Sequence, residues 1–334
     1  MSKVLVEHGI RCLLFDLGDT LWYRESQESW GKMEDASNQR AVDLLHQQID
    51  PSLLPRIDDR SLGQRLRQAF DAQVRNDIRH NPLEEPDPLR AAACVLQSWG
   101  ITQADHALCA ALFEALRVRI LHSRPLFADA HATLSELRRR GYQLGIVTNR
   151  LWGGELFLED LRLIGLLDYF DLKQIAISGD LGIRKPNPQI FLHTLNALHA
   201  TPQEAAMIGD SLSADVLGAQ PLGIYAIWRP KTWLSSWAIE HAAALPAEGE
   251  AYHQPVSTET FPGEDTADTQ LTETAETPDT APEGMLVTDD DYILARASAG
   301  RDYLDQFRRG EIRPDRIIAH LAELLEIFPG VNQV

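Results

Sequence analysis

Ile10-Arg11-Cys12-Leu13-Leu14-Phe15-Asp16-Leu17-Gly18-Asp19-Thr20-Leu21 is the stretch whose reading decides the fold. A short apolar run bounded by turn residues reads as a buried strand, and this one delivers a carboxylate, Asp16, at its C-terminal end. In open parallel α/β sheets ligands bind at that end of the strands. Asp-x-Gly-Asp is also ordinary turn chemistry, so from this stretch alone Asp16 as a simple turn former stays open.

Working outward, helices and strands alternate from Ala128 onward. Periodicity predicts a helix over 129–140, a strand over 142–148, a helix over 154–166 and a strand over 172–178. A helix after Pro188, a strand over 205–209, a helix over 212–220 and a strand over 224–228 follow. Alternation of this kind implies βαβ units and a parallel sheet, so the fold class is α/β with a Rossmann-like parallel-sheet core. The first strand is separated from the others by about a hundred residues that read as helices throughout, over 28–48, 61–79, 87–99 and 103–121. Pro51, Pro55, Pro82, Pro86, Pro88 and Gly100 punctuate them. The expected organisation is core over 1–21, an all-helical cap over 22–125, core over 126–230, an acidic and partly disordered insertion over 231–310, and a closing core helix over 311–334.

Composition narrows the function. The chain has 334 residues, 44% of them hydrophobic, and no run approaches the roughly 18 apolar residues of a membrane span. No apolar leader follows Lys3, Glu7 and His8, which predicts a cytoplasmic protein. Cys12, Cys94 and Cys109 lack CxxC spacing and lie in apolar contexts, as reduced core thiols do, and the eleven histidines form no HExxH pair. The net charge of −18 argues against nucleic-acid partners, but fourteen unopposed acidic residues lie between Lys231 and Arg296, leaving −4 for everything else. Within that tract, 246–284 is rich in Thr, Glu, Asp, Pro and Ala and nearly free of aliphatics, so it is expected to be disordered. Apolar spacing returns over 289–309, consistent with a helix.

The predicted strand ends carry Asp16, Thr148 with Asn149, Lys185 in Arg184-Lys185-Pro186-Asn187-Pro188, and Asp210 with Asp215 five residues on. Singly each has an ordinary structural role as a helix cap, a loop cation or a first-turn carboxylate. Together, one hydroxyl, one amine and three carboxylates at one sheet edge form a set able to hold Mg²⁺ and a phosphate, since a hard cation takes oxygen ligands and a phosphoryl group takes cations and donors.

In these stretches the chain resembles the haloacid dehalogenase superfamily, in the subgroup of phosphohydrolases whose helical cap lies between the first two motifs. The matching stretches are Phe15-Asp16-Leu17-Gly18-Asp19-Thr20-Leu21, Gly145-Ile146-Val147-Thr148-Asn149, Gly182 to Phe191, and Ile208-Gly209-Asp210-Ser211-Leu212-Ser213-Ala214-Asp215. The resemblance covers 10–230 and resumes over 314–328, which looks like that fold's closing helix. It implies catalytic roles for Asp16 as nucleophile, Thr148 and Lys185, and phosphate binding by Thr148, the amide of Asn149 and Lys185. It also implies Mg²⁺ on Asp16, the carbonyl of Gly18 and Asp210, with Asp215 in support, and a small phosphorylated metabolite as substrate.

One departure stands out. Phosphatases of this kind usually carry a second Asp two residues after the nucleophile as general acid and base, and here that position is Gly18. Asp19 is one residue further on. Three readings follow: an Mg²⁺-dependent phosphatase for a substrate with a good leaving group, a metal-free 2-haloacid dehalogenase, or a catalytically weak binding relative. Retention of Asp210 and Asp215 favours the first. Trp22, Tyr23, Arg24 and Trp30 either line the substrate pocket or pack the cap, and Arg150 either meets a substrate anion or sits in a solvated loop. Nothing in the sequence fixes the oligomeric state.

Overall fold

The computed structural model describes residues 9–23, 27–122, 124–244 and 301–331. Its sheet contains β1 (Cys12–Phe15), β2 (Gln143–Thr148), β3 (Ile175–Ile177), β4 (Ala205–Gly209), β5 (Tyr225–Trp228) and β6 (Arg316–Ile317). All six are parallel, in the order β3-β2-β1-β4-β5-β6. The four residues of β1 are fully buried, as a central strand covered on both faces requires. The strand order reverses direction at β1, and the crevice outside the strand ends at such a switch point is where α/β sheets place ligands.

Between β1 and β2 lie α1 (Gln27–Gln48), α2 (Asp59–His80), α3 (Pro88–Ser98) and α4 (His106–Ala115). Their starts are written in the sequence: Asp58, Asp87 and Asp105 each accept from backbone amides of the first turn, and Pro88 occupies the first turn of α3. Leu45, Leu66, Phe70, Leu96 and Leu112 meet in a core of their own. Buried Arg67 ties that core together, donating to Asn38 Oδ1, Ser37 Oγ and the carbonyl of Leu116. The chain enters and leaves this helical layer side by side, with Trp22 bridged to Leu126. Trp22 itself belongs to the core beneath the sheet, packed edge-on against Phe157, rather than to a pocket or to the helical layer.

Flanking the sheet are α5 (Ala130–Arg139), α6 (Gly154–Leu163), the short α7 (Ser178–Leu181) and α8 (Pro188–Ala197). The closing segment departs from expectation. In place of one helix over 311–334, β6 is followed by a 3₁₀ turn at Leu321–Glu323 and a short helix at Leu324–Ile327. The free edge of β5 pairs with Arg316 and Ile317, and Ile318 N donates to Trp228 O at 3.0 Å. Consecutive β-branched residues suit that edge better than a helix, and tertiary pairing decides.

The described residues up to 235, with 314–331, form one compact unit, and 236–244 with 301–313 belong to a second. In the second, helices at Ser235–Ala244 and Arg301–Arg308 are described, and the buried Trp237 ring meets His241 at 4.3 Å and Phe307 at 5.9 Å. The expected disordered tract over 246–284, and most of the helix expected over 289–309, lie outside the described residues. Among the described residues no helix is long and apolar enough to cross a membrane.

Gly145 of β2 is where α8 approaches the sheet: a methyl group there would stand 2.5 Å from Thr194 Cγ2 and 3.1 Å from Leu14 Cδ2. Gly145→Ala should therefore cost about 1–3 kcal/mol through overpacking. A urea midpoint lowered accordingly with an unchanged slope is the expected result; an unshifted midpoint contradicts this contact.

Candidate active site

Register brings the polar residues together. Phe15 pairs with Ile146 on one side and Ile208 on the other, so the next residues on three adjacent strands are Asp16, Val147-Thr148 and Gly209-Asp210. A parallel sheet in register has no choice but to present these side chains at one edge.

Lys185 reaches the same edge from the loop after α7. Its Nζ donates to Asp16 Oδ1 at 2.7 Å and to Asp215 Oδ1 at 2.6 Å, with all three side chains almost excluded from solvent. Burial works against the charge on Lys185, and the two carboxylates more than reverse it, so its pKa lies above the ordinary lysine value. The lysine is aimed by a device that sequence reading missed. Asn149 Oδ1 accepts from Lys185 N at 2.7 Å while Asn149 Nδ2 donates to Lys185 O at 2.9 Å, so both ends of the amide side chain clamp the lysine backbone. A side-chain amide directly after a strand-end threonine is the signal, but its partner lies 36 residues away. Thr148 is buried at the strand end, and its hydroxyl makes no hydrogen bond among the described residues.

Asp215 is set by its own turn. The expected helix over 212–220 opens as a wide π turn at Leu212–Val216, and Asp215 Oδ2 accepts from Ser211 N at 2.9 Å. Such turns recur at functional sites. Gly209 leaves the room: a Cβ there would lie 2.2 Å from Asp215 Cγ. With both Asp215 oxygens committed, to Lys185 and to Ser211, this carboxylate orients others.

Asp210 is different. Burial first, then Asp16 and Asp215, push its pKa well above the usual carboxylate range, and Lys231, 3.9 Å away, only partly compensates. Oxygen atoms of Asp16, Asp210 and Asp215 all lie within 4.8 Å of one another, and among the described residues no other three His, Cys, Asp or Glu side chains do so. A set of oxygen donors with more negative charge than Lys185 can balance fits a small hard divalent cation.

Gly18 and Asp19 form the adjoining turn. Gly18 lacks any proton donor, and a Cβ there would meet only Asp16 Oδ2, at 3.9 Å. Asp19 takes a left-handed backbone conformation, φ 52°, which Asp tolerates better than most residues. Its carboxylate pairs with Lys231 at 3.2 Å and its carbonyl accepts from Arg229 Nη1 at 2.6 Å. Lys231 and Arg229, both just after β5, were not singled out in the sequence because no motif marks them. A cleft of about 450 Å³ lined by Met33, Arg40, Arg117 and Leu156, among others, contains none of these groups and is separate from the acidic centre.

The helical layer docks on the lysine loop. Glu84 bridges Ile183 in antiparallel fashion, Glu85 N donates to Gly182 O, Arg184 N to Leu83 O, and Asn187 Nδ2 to Leu83 O.

Comparison with known proteins accords with this geometry. The phosphoserine phosphatase of Thermus thermophilus is 43% identical over 104 residues, 31% of this chain and 40% of that protein. The glyceraldehyde 3-phosphate phosphatase of Methanopyrus kandleri is 27% identical over 218 residues, 65% of this chain and 83% of that protein. The pyrophosphatase PpaX of Halalkalibacterium halodurans is 34% identical over 98 residues, 29% of this chain and 43% of that protein. The chain thus spans less than half the length of the first and third. Residues 10–223, which contain Asp16, Thr148, Lys185, Asp210 and Asp215, match the haloacid dehalogenase-like hydrolases, and the chain belongs to that family.

Proposed function

We propose that this chain is an Mg²⁺-dependent phosphohydrolase that acts on a small phosphorylated metabolite by passing the phosphoryl group through Asp16. The observation that carries the reading is the Lys185 ammonium bonded to both Asp16 and Asp215, beside Asp210 and one strand from Thr148. Asp16 is the oxygen nucleophile, and forming an aspartyl-phosphate splits one difficult displacement into two easier ones. Lys185 screens its charge so that an anionic substrate can approach. Thr148 and the backbone amide of Asn149 receive a phosphoryl oxygen, and Asp215 holds Lys185 and the Ser211 turn in place. Asp16, the Gly18 carbonyl and Asp210 would hold Mg²⁺, which would supply positive charge to neutralise the phosphoryl oxygens.

The three relatives named above carry phosphatase names with three different substrates, which supports phosphoryl chemistry and leaves the metabolite open. Gly18 offers no acid and Asp19 is paired with Lys231, so the reading favours substrates whose leaving group needs little protonation, such as acyl phosphates or sugar 1-phosphates. A metal-free dehalogenase would gain nothing from a third, half-buried carboxylate at Asp210.

Hydrolysis of p-nitrophenyl phosphate should fall to background in excess chelator, return with Mg²⁺, and drop at least about 10²-fold in Asp210→Asn. Full turnover in chelator would move the chain to the metal-free branch.

Gly18→Asp tests the missing acid. The backbone at Gly18 is not left-handed and its Cβ position is open, so the variant should fold. An alkyl phosphate should then turn over up to about 10²-fold faster, while aryl and acyl phosphates change little. An equal gain or none across the three classes, in a folded variant with unchanged Mg²⁺ affinity, contradicts the leaving-group account.

A further inference from the structure

Arg150 lies two residues past Thr148, on the same strand-end loop. The residue is half-buried, with its backbone and one face of its guanidinium held by neighbours. Its backbone N donates to Ser178 Oγ at 2.7 Å, and its carbonyl accepts from Gly179 N at 3.0 Å. The guanidinium lies over the ring of Phe157 at 4.4 Å, and its Nε donates to Trp152 O at 2.9 Å. Phe157 in turn meets Trp22 edge-on at 6.3 Å, and Trp22 pairs with Gly18. Because Trp152 stacks on Phe113, the guanidinium lies where the loop after Thr148 meets the helical layer.

What is missing is a counter-charge. Among the described residues the two Nη groups of Arg150 make no hydrogen bond and no ion pair. The charged neighbours make matters worse. Arg117, itself spent on Glu114 and Gly153 O, and Arg124 both repel it. Asp160, the acidic group that faces it, is committed to Arg119 and to Ile120 N. Burial first, then Arg117 and Arg124, bring its pKa down to about 9. Stacking on Phe157 offsets part of that cost but does not use the planar fork of donors. A guanidinium whose two Nη groups are unspent, beside two more arginines, presents the donors and charge that an oxyanion takes.

We propose that Arg150 is a specificity residue that takes a second oxyanion of the substrate, a carboxylate or a second phosphate carried alongside the scissile one. This deepens the phosphohydrolase reading and rests on it for the identity of the first group. The substrate class becomes phosphate esters or anhydrides that bear a further acidic group.

Non-hydrolysable phosphonates separate the two questions, because their binding needs no turnover. In the presence of Mg²⁺, calorimetry should show phosphonoacetate or methylenebisphosphonate binding at least about tenfold tighter than methylphosphonate, as a charged hydrogen-bonded pair provides. Which of the two is preferred tells a carboxylate from a second phosphate. In Arg150→Gln the ratio to methylphosphonate should fall to about twofold or less, and Arg150→Lys, which keeps charge without the fork, should fall between. No preference in the wild-type protein overturns the proposal without any variant, and so does a ratio that survives in Arg150→Gln. Should phosphonates show the preference while no phosphate ester is hydrolysed, the second-anion site stands and the reading of the reaction fails. If esters are hydrolysed without the preference, the reverse holds.

Discussion

One buried ammonium, bonded at 2.7 Å to Asp16 and at 2.6 Å to Asp215, is the interaction on which the rest of this edge depends. Placing two carboxylates almost out of water beside a third, the half-buried Asp210, is unfavourable unless each finds a partner. Lys185 serves two of them, and everything around it restricts where it can be. Asn149 grips its backbone from both sides, Ser211 N fixes the far oxygen of Asp215, and the missing Cβ of Gly209 leaves that side chain its place. Asp210 is left with Lys231 at 3.9 Å, and the negative charge that remains is what a divalent cation would satisfy.

The same lysine connects the sheet to the helices above it. The segment just before Lys185 pairs backbone to backbone with the loop between α2 and α3, through Leu83, Glu84 and Glu85. On the other side, Trp152 from the loop after β2 stacks on Phe113 at 5.1 Å and donates its Nε1 to Phe113 O. The helical layer is thus attached to the two loops that carry Lys185 and Thr148, which places any shift of that layer in direct contact with the groups argued to handle the phosphate.

Much of this was legible in the sequence, for local reasons. The apolar run at 10–15 reads as a buried strand, Asp58, Asp87 and Asp105 announce helix starts, Asp16 and Asp210 each follow directly on a strand, Thr148 ends one, and Lys185 follows a glycine-bounded turn. What escaped was non-local. The Asn149 clamp joins residues 36 apart, β6 exists because β5 offers an edge to Arg316 and Ile317, and the crowding of Arg150 arises from Phe157 and Trp152 on its far side. Trp22 looked like a cap or pocket aromatic because it follows Thr20 and Leu21, yet the backbone turns it back under the sheet. In each case pattern gave the residue and packing gave its partner.

The central claim is that Asp16, bonded to the Lys185 ammonium, takes the phosphoryl group. Acid-quenching the enzyme during turnover of acetyl phosphate and mapping the peptides by mass spectrometry tests it most directly. The account predicts one phosphoryl group on the peptide containing Asp16, removed by hydroxylamine as an acyl phosphate is. Release of phosphate in the first turnover with no protein-bound phosphoryl group, or its appearance on another residue, would contradict it.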